Sequence, residues 1–130
     1  MKKTNPNSSS KDSNFDQEQY LYLTTRGRKS GLPREIEIWF TYREGRFYLI
    51  AEYPTSNWLQ NLRADPQAQV RVAGQSFAAH ARFIVAEAKP ELHRAIADLS
   101  TQKYGWGDGT VVELEPITDG DGNSRKLSYP

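Results

Sequence analysis

The chain has no cysteine and only two histidines, His80 and His93. Disulfides, thiolate nucleophiles and cysteine-ligated zinc or iron–sulfur sites are therefore excluded. A histidine-rich metal centre is excluded with them, and no metal is expected. No run of residues approaches the roughly 20 apolar positions that a membrane-crossing helix needs, so stable membrane insertion is not expected. Residues 1–14 carry Lys, Asn and Ser without an apolar stretch, which is not the pattern of a secretory signal peptide. The expected location is the cytoplasm. An excess of one charge is also missing: 17 Lys+Arg stand against 16 Asp+Glu, a net of +1. Nucleic-acid binders normally carry a larger basic surplus. A single-strand site using Arg26, Arg28 and Lys29 with Tyr20, Tyr22 and Trp39 is thus disfavoured, and nucleic acid is not an expected partner.

What is present fits one globular domain. The chain has 130 residues, 37% of them hydrophobic and 25% charged, which is enough for a single core. Residues 1–16 read as a flexible polar tail and 119–130 as a second polar tail, with the folded domain over 17–118. The run from Tyr20 to Thr25 is aromatic and β-branched, which suits a strand. A loop with two glycines and a proline follows, from Arg26 to Pro33. From Arg34 to Tyr42 the residues alternate: Ile36, Ile38, Phe40 and Tyr42 share one face, and Glu35, Glu37, Trp39 and Thr41 the other. A turn at Gly45 returns the chain through the strand Phe47–Glu52. A short helix carries Trp58, Leu59 and Leu62, with Ser56 or Asn57 as candidate cap and Asp65-Pro66 as stop. A hairpin around Gly74 and a helix opened by Pro90 come next. The glycine-rich run Tyr104–Gly109 and a strand from Val111 to Pro116 complete the domain. The reading is mainly β, with about six antiparallel strands and two inserted helices, in a small barrel or curled sheet.

Four places can carry chemistry. In the run Thr24–Gly31, three cations, two hydroxyl residues in its first half of Thr24 and Thr25, Ser30, and flexible backbone N–H groups converge, as a phosphate requires; a solvated basic turn reads the same way. Gly-x-x-x-x-Gly-Lys-Ser/Thr is absent, so this is not a P-loop. Trp39 places a large ring on an otherwise acidic, wet face, where it can stack on a planar ligand or simply half-bury. Trp58 and Asn61 lie on one helix face, as site or as packing. Tyr104 and Trp106, between glycines, read as a lid or as a helix stop.

The run Leu23–Arg34 resembles the opening of the deazaflavin-dependent nitroreductase family, and so does Trp58-Leu59-Gln60-Asn61-Leu62-Arg63-Ala64-Asp65-Pro66 with the strand after it. The resemblance covers about Tyr20 to Pro116. It implies a split β-barrel related to the flavin-binding pyridoxamine phosphate oxidase folds. It implies a hydride-transferring reductase that uses the deazaflavin F-420, with FMN as the alternative coenzyme. The acceptor would be planar and electron-poor, such as a quinone, an enone or a nitroaromatic. By this resemblance Arg26, Arg28, Lys29, Ser30 and Gly31 hold the phosphate. Ile50, Ala51 and Glu52 pass beside the deazaflavin ring, and Trp58 and Asn61 close the groove. Trp39, Trp58 and Tyr104 shape the acceptor pocket, and Tyr104 is the candidate catalytic proton relay. Glu52 departs from the small hydroxyl residue of the best-known branch. A non-catalytic binder of flavin, deazaflavin or haem is the rival reading, and a homodimer is expected by analogy of fold.

Overall fold

The computed structural model describes residues 15–117. Seven strands and two helices follow in the order β1 (Leu21–Arg26), β2 (Pro33–Ile38), β3 (Thr41–Arg43), β4 (Arg46–Ala51), α1 (Asn57–Ala64), β5 (Gln67–Val72), β6 (Gln75–Ile84), α2 (Pro90–Tyr104) and β7 (Thr110–Pro116). The strands form one antiparallel sheet in the order β2-β1-β5-β6-β7-β4-β3. This is the expected split barrel, with seven strands instead of six.

The extra strand arises where the sequence pattern shows no break. The alternation from Arg34 to Tyr42 suggests one strand, yet β2 ends at Ile38 and β3 begins at Thr41. These two strands are the opposite edges of the sheet. Only Trp39 and Phe40 join them, and three Cα–Cα steps span at most about 11 Å. The sheet must therefore curl until its edges nearly meet. The Phe40 ring turns into the core at 2% exposure, 5.7 Å from the Phe47 ring.

Two layers of apolar side chains follow from this curl. Inside the barrel lie Leu21, Leu23, Phe47, Leu49, Val70, Val112 and Leu114, with Leu59 and Leu62 of α1 closing over them. Burial of each such leucine contributes about 2 kcal/mol. Tyr48 and Val111 face outward, against Ile96 of α2. Strand β4 is therefore covered on both faces, which explains its unbroken apolar run. Tight turns connect neighbours: Glu44 and Gly45 have φ of 52° and 82°, and Ala73 and Gly74 have 51° and 76°. Such pairs of positive φ suit two-residue hairpins.

The expected tails lie outside the described residues, apart from Phe15 and Asp16. Residues 15–17 are helical, and Phe15 is buried beside Tyr42 and Phe47 at 5.2 and 5.1 Å between ring centroids. Tyr104, expected in a loop, is the last residue of α2, and Gly105 closes that helix in the left-handed region with φ 81°.

The end of α2 holds the corner between the sheet edges. The Phe40 N–H donates to the Tyr104 hydroxyl at 2.9 Å. That hydroxyl lies 2.8 Å from the Phe40 carbonyl and 2.9 Å from the Gln19 carbonyl, and donates its one proton between them. Lys103 donates to the same Phe40 carbonyl at 3.1 Å and sits 4.0 Å over the Phe40 ring. Burial lowers the Lys103 pKa, against the opposing pull of Asp16 and Glu18. Tyr104→Phe removes the acceptor for the Phe40 N–H and should cost about 1–3 kcal/mol in urea denaturation; unchanged stability would contradict this role.

On the outer face, Glu113 stands directly between Tyr48 and Arg82 in register. Its carboxylate accepts from the Tyr48 hydroxyl at 2.9 Å and from Arg82 at 2.8 Å, with 5% of the residue exposed. Burial, then the Glu113 hydrogen bond and charge, pushes the Tyr48 phenol up to about 12 from an ordinary 10.0. The folded state thus favours the neutral phenol. Its contribution to stability is complete below pH 10.0 and lost as pH rises through about 12. Unfolding free energy should fall across that window, and Tyr48→Phe should flatten the fall. An equal slope in both proteins would assign the loss to other groups.

Candidate functional site

The segment between β1 and β2 is a tight, internally bonded loop. The Gly27 N–H donates to the Leu32 carbonyl and the Gly31 N–H to the Gly27 carbonyl, both at 2.8 Å. The Leu32 N–H donates to Ser30 Oγ at 3.1 Å. Gly31 has φ 76°, a conformation that glycine adopts without strain. A Cβ on Gly27 would sit 2.7 Å from Ser30 Oγ and 3.2 Å from the Leu32 carbonyl oxygen. Ser30 is thus occupied in shaping the loop.

Helix α1 fixes this loop from the other side. Asn61 is 4% exposed, and its Nδ2 donates to Thr25 Oγ1 at 3.0 Å. Its Oδ1 accepts from the Arg28 backbone N–H at 3.1 Å and from Arg28 Nη1 at 2.9 Å. Asn57 Oδ1 accepts from Arg28 Nη2 at 3.4 Å. Neither cap expected from the sequence acts through its side chain: Ser56 occupies the N-cap position without a capping hydrogen bond, and its hydroxyl donates to the Tyr53 carbonyl at 2.9 Å.

Between loop, helix and β2 runs a groove of about 580 Å³. Arg28, Lys29 and Ser30 form one end, and Trp58 with Asn57 and Asn61 the helix wall. Pro33, Arg34, Glu35 and Ile36, four consecutive strand residues, form the third side. Glu35 is paired with Arg71 at 3.1 Å. Lys29 and Arg34 form no ion pair among the described residues. The groove is therefore cationic at one end, with an indole and an aliphatic side chain beyond. Phosphate needs the first and a flat ring the second.

Five of the sequence candidates meet here: Arg28, Lys29, Ser30, Trp58 and Asn61. Arg26 and Gly31 line a separate depression of about 450 Å³ across the loop, where Arg26 lies 3.7 Å from Asp65. Ile50, Ala51 and Glu52 do not line the groove. Ile50 packs beside the outer apolar layer, Ala51 is buried, and Glu52 is exposed. Trp39 and Tyr104 stack at 4.2 Å and 5° between planes, and line a gap of about 10 Å³ with Ile50 and Thr41, away from the groove. Within that gap the Thr41 hydroxyl is buried without a hydrogen-bond partner among the described residues. Burial raises the Tyr104 pKa, which leaves its proton tightly held.

Sequence reasoning gave Asn57 and Arg34 no place in the site, while Gly27 and Thr25 lay within the basic run without a stated role of their own. Thr25 was placed with the basic run, and its inward turn follows from period 2 after Leu21 and Leu23. No sequence signal tied Asn57 to Arg28. Gly27→Ala should distort the loop, lower stability by about 1–3 kcal/mol and speed proteolysis within 27–32. Wild-type stability and cleavage would show that the loop yields to a Cβ at no cost.

Comparison with known proteins bears on the family and the fold. The family model of the F420H(2)-dependent quinone reductases matches residues 3–112. An F-420-H2-dependent reductase of known structure aligns with 75% of this chain and 94% of its own at 19% identity and a TM-score of 0.62. HutZ, a haem storage protein from Vibrio cholerae, aligns with 85% and 90% of the two chains at 17% identity and a TM-score of 0.67. An FAD-binding protein from Mesorhizobium loti aligns with 86% and 91% at 15% identity and a TM-score of 0.61. At such identities the structures speak for the fold alone, while the family model covers most of the sequence. The chain belongs to the F420H(2)-dependent quinone reductase family, a family of oxidoreductases.

Proposed function

We propose that this protein binds reduced F-420 in the groove between the 27–32 loop, β2 and α1, and reduces a planar, electron-poor acceptor such as a quinone, an enone or a nitroaromatic. The observation that carries the reading is the pairing of unneutralised cations with an indole wall in one groove. The donor set fits a phosphate-bearing coenzyme: Lys29 and Arg34 are without carboxylate partners among the described residues, and Arg28 is held on amide oxygens. When bound, reduced F-420 would supply a hydride, and the acceptor would gain that hydride, with its electron pair, and one further proton from water.

The chain's own residues bind and orient. Lys29 and Arg28 hold the phosphate, and the backbone N–H groups of Lys29 and Ser30, which the loop's own hydrogen bonds leave unused, add hydrogen bonds. Trp58 and Ile36 offer apolar surface to the ring system and exclude water from it. Orientation of this kind accounts for much of the rate in a reaction whose chemistry belongs to the coenzyme. Tyr104 serves a different end in this reading. Its hydroxyl is engaged by the main chain of Phe40 and Gln19, so we assign it to the barrel corner and not to proton relay. Trp39 and Glu52 lie outside the groove, and this reading gives them no contact with the coenzyme. The reading also takes the protein as a cytoplasmic homodimer, in which a second copy borders the open edge of β2.

Fluorescence titration of the purified protein with F-420, and in parallel with FMN, tests the reading. Lys29→Ala should weaken F-420 binding about tenfold, which is about 1.4 kcal/mol, and the wild-type affinity should fall with added salt. Unchanged affinity in Lys29→Ala would remove the phosphate role. FMN binding without F-420 binding would move the chemistry to a flavoprotein of the same fold. Binding of F-420 without turnover of any quinone, enone or nitroaromatic would favour a storage role.

A further inference from the structure

We infer that Asn61 and Asn57 are positioning residues that hold the Arg28 guanidinium rigid while leaving its charge unneutralised, and so make Arg28 a preorganised receptor for the phosphate of the ligand. The inference rests on the coenzyme reading above and goes beyond it, because Asn61 then acts through Arg28 and not on the ligand.

Arg28 is unlike the arginines that are held by ion pairs among the described residues. Arg26 meets Asp65, Arg43 meets Glu44, and Arg71 meets Glu35. Arg46 and Arg82 share Glu113 and Glu115. Each of those cations is cancelled by a carboxylate, which leaves little field for an anion to find. Arg28 instead donates to two amide oxygens, Asn61 Oδ1 at 2.9 Å and Asn57 Oδ1 at 3.4 Å. An amide oxygen fixes the geometry of a guanidinium and carries no net charge.

The buried amide has one orientation. Arg28 has donors only, through its N–H and its guanidinium, so the oxygen of Asn61 must face it. Nδ2 is thereby turned to Thr25 Oγ1, which accepts at 3.0 Å. Thr25 is 3% exposed and belongs to β1. The chain Thr25–Asn61–Arg28 therefore ties the cation to the sheet. Fixing a flexible side chain before the ligand arrives removes an entropic cost from binding.

The test separates position from charge. Asn61→Asp keeps an acceptor for Arg28, and the Thr25 hydroxyl can rotate to donate to it. Asn57→Asp is the second variant: it is exposed, and a carboxylate there suits the first turn of α1. Titration calorimetry with F-420 and with inorganic pyrophosphate is paired with thermal melting. Both variants should melt near the wild type yet bind both anions at least tenfold more weakly, with a shallower salt dependence. Arg28→Ala should give a similar loss, and Asn61→Asp combined with Arg28→Ala should add little to it. A merely structural asparagine would move the melting temperature and not the salt dependence. Wild-type affinity for both anions in the two Asp variants, or additive losses with Arg28→Ala, would overturn the inference. Should the wild type hold pyrophosphate and not F-420, the coenzyme reading fails and the pyrophosphate comparison alone decides the inference. A wild type that holds neither anion overturns both.

Discussion

Two residues, Trp39 and Phe40, join the first edge of the sheet to the last, and the rest of the architecture depends on that short bridge. Because the chain between the edges spans at most about 11 Å, seven strands cannot lie open. They curl, one face becomes an interior, and the other is left for α2 to cover. The bridge itself breaks the ladder, so its main-chain groups need other partners. The last two residues of α2, Lys103 and Tyr104, supply them at Phe40. A helix that covers the outer face thus also fastens the corner of the barrel.

The same curl creates the groove. Strand β2 remains an edge, paired only with β1 among the described residues, and α1 sits across the barrel end with Leu59 and Leu62 inward. The space between helix and edge is left open. Its far end is closed by the 27–32 loop, which Asn61 fixes through both main chain and side chain of Arg28. The electrostatic pattern separates this region from the outer surface. Around Glu113 the charges cancel in a dense network of Tyr48, Arg46 and Arg82, which serves stability. In the groove Arg28, Lys29 and Arg34 have no carboxylate partner among the described residues, the arrangement on which the proposed anion recognition rests.

Much of this was legible in the sequence, and the reason is local. In β5 the burial alternates residue by residue, as the spacing of Ala68, Val70 and Val72 suggests. The helix stop at Asp65-Pro66 and the positive φ of Gly45 and Gly74 follow from single-residue stereochemistry. The break at Trp39–Phe40 was not legible, because Ile36, Ile38, Phe40 and Tyr42 keep period 2 across it and no glycine or proline marks it. Tertiary closure imposes that break. Glu113 between Val112 and Leu114 gave no sign of burial, since its partners lie 65 and 31 positions away. For the site, the basic loop and the Trp58 helix were recognisable as two pieces. Their contact, an amide meeting a guanidinium 33 positions apart, is a fact of the fold. The roles expected for Ile50, Ala51 and Glu52 rested on resemblance, and those of Trp39 and Tyr104 also on their rings, one on a polar strand face and one beside glycines; none of the five lines the groove.

A crystal structure of the protein with F-420 tests the central claim most directly. The account predicts the phosphate at the 27–32 loop, about 2.8–3.2 Å from Arg28 or Lys29 nitrogens, with the ring system against Trp58 and the Asn61–Arg28 contact unchanged. A phosphate bound elsewhere, or an Arg28 released from Asn61 to reach it, would contradict it.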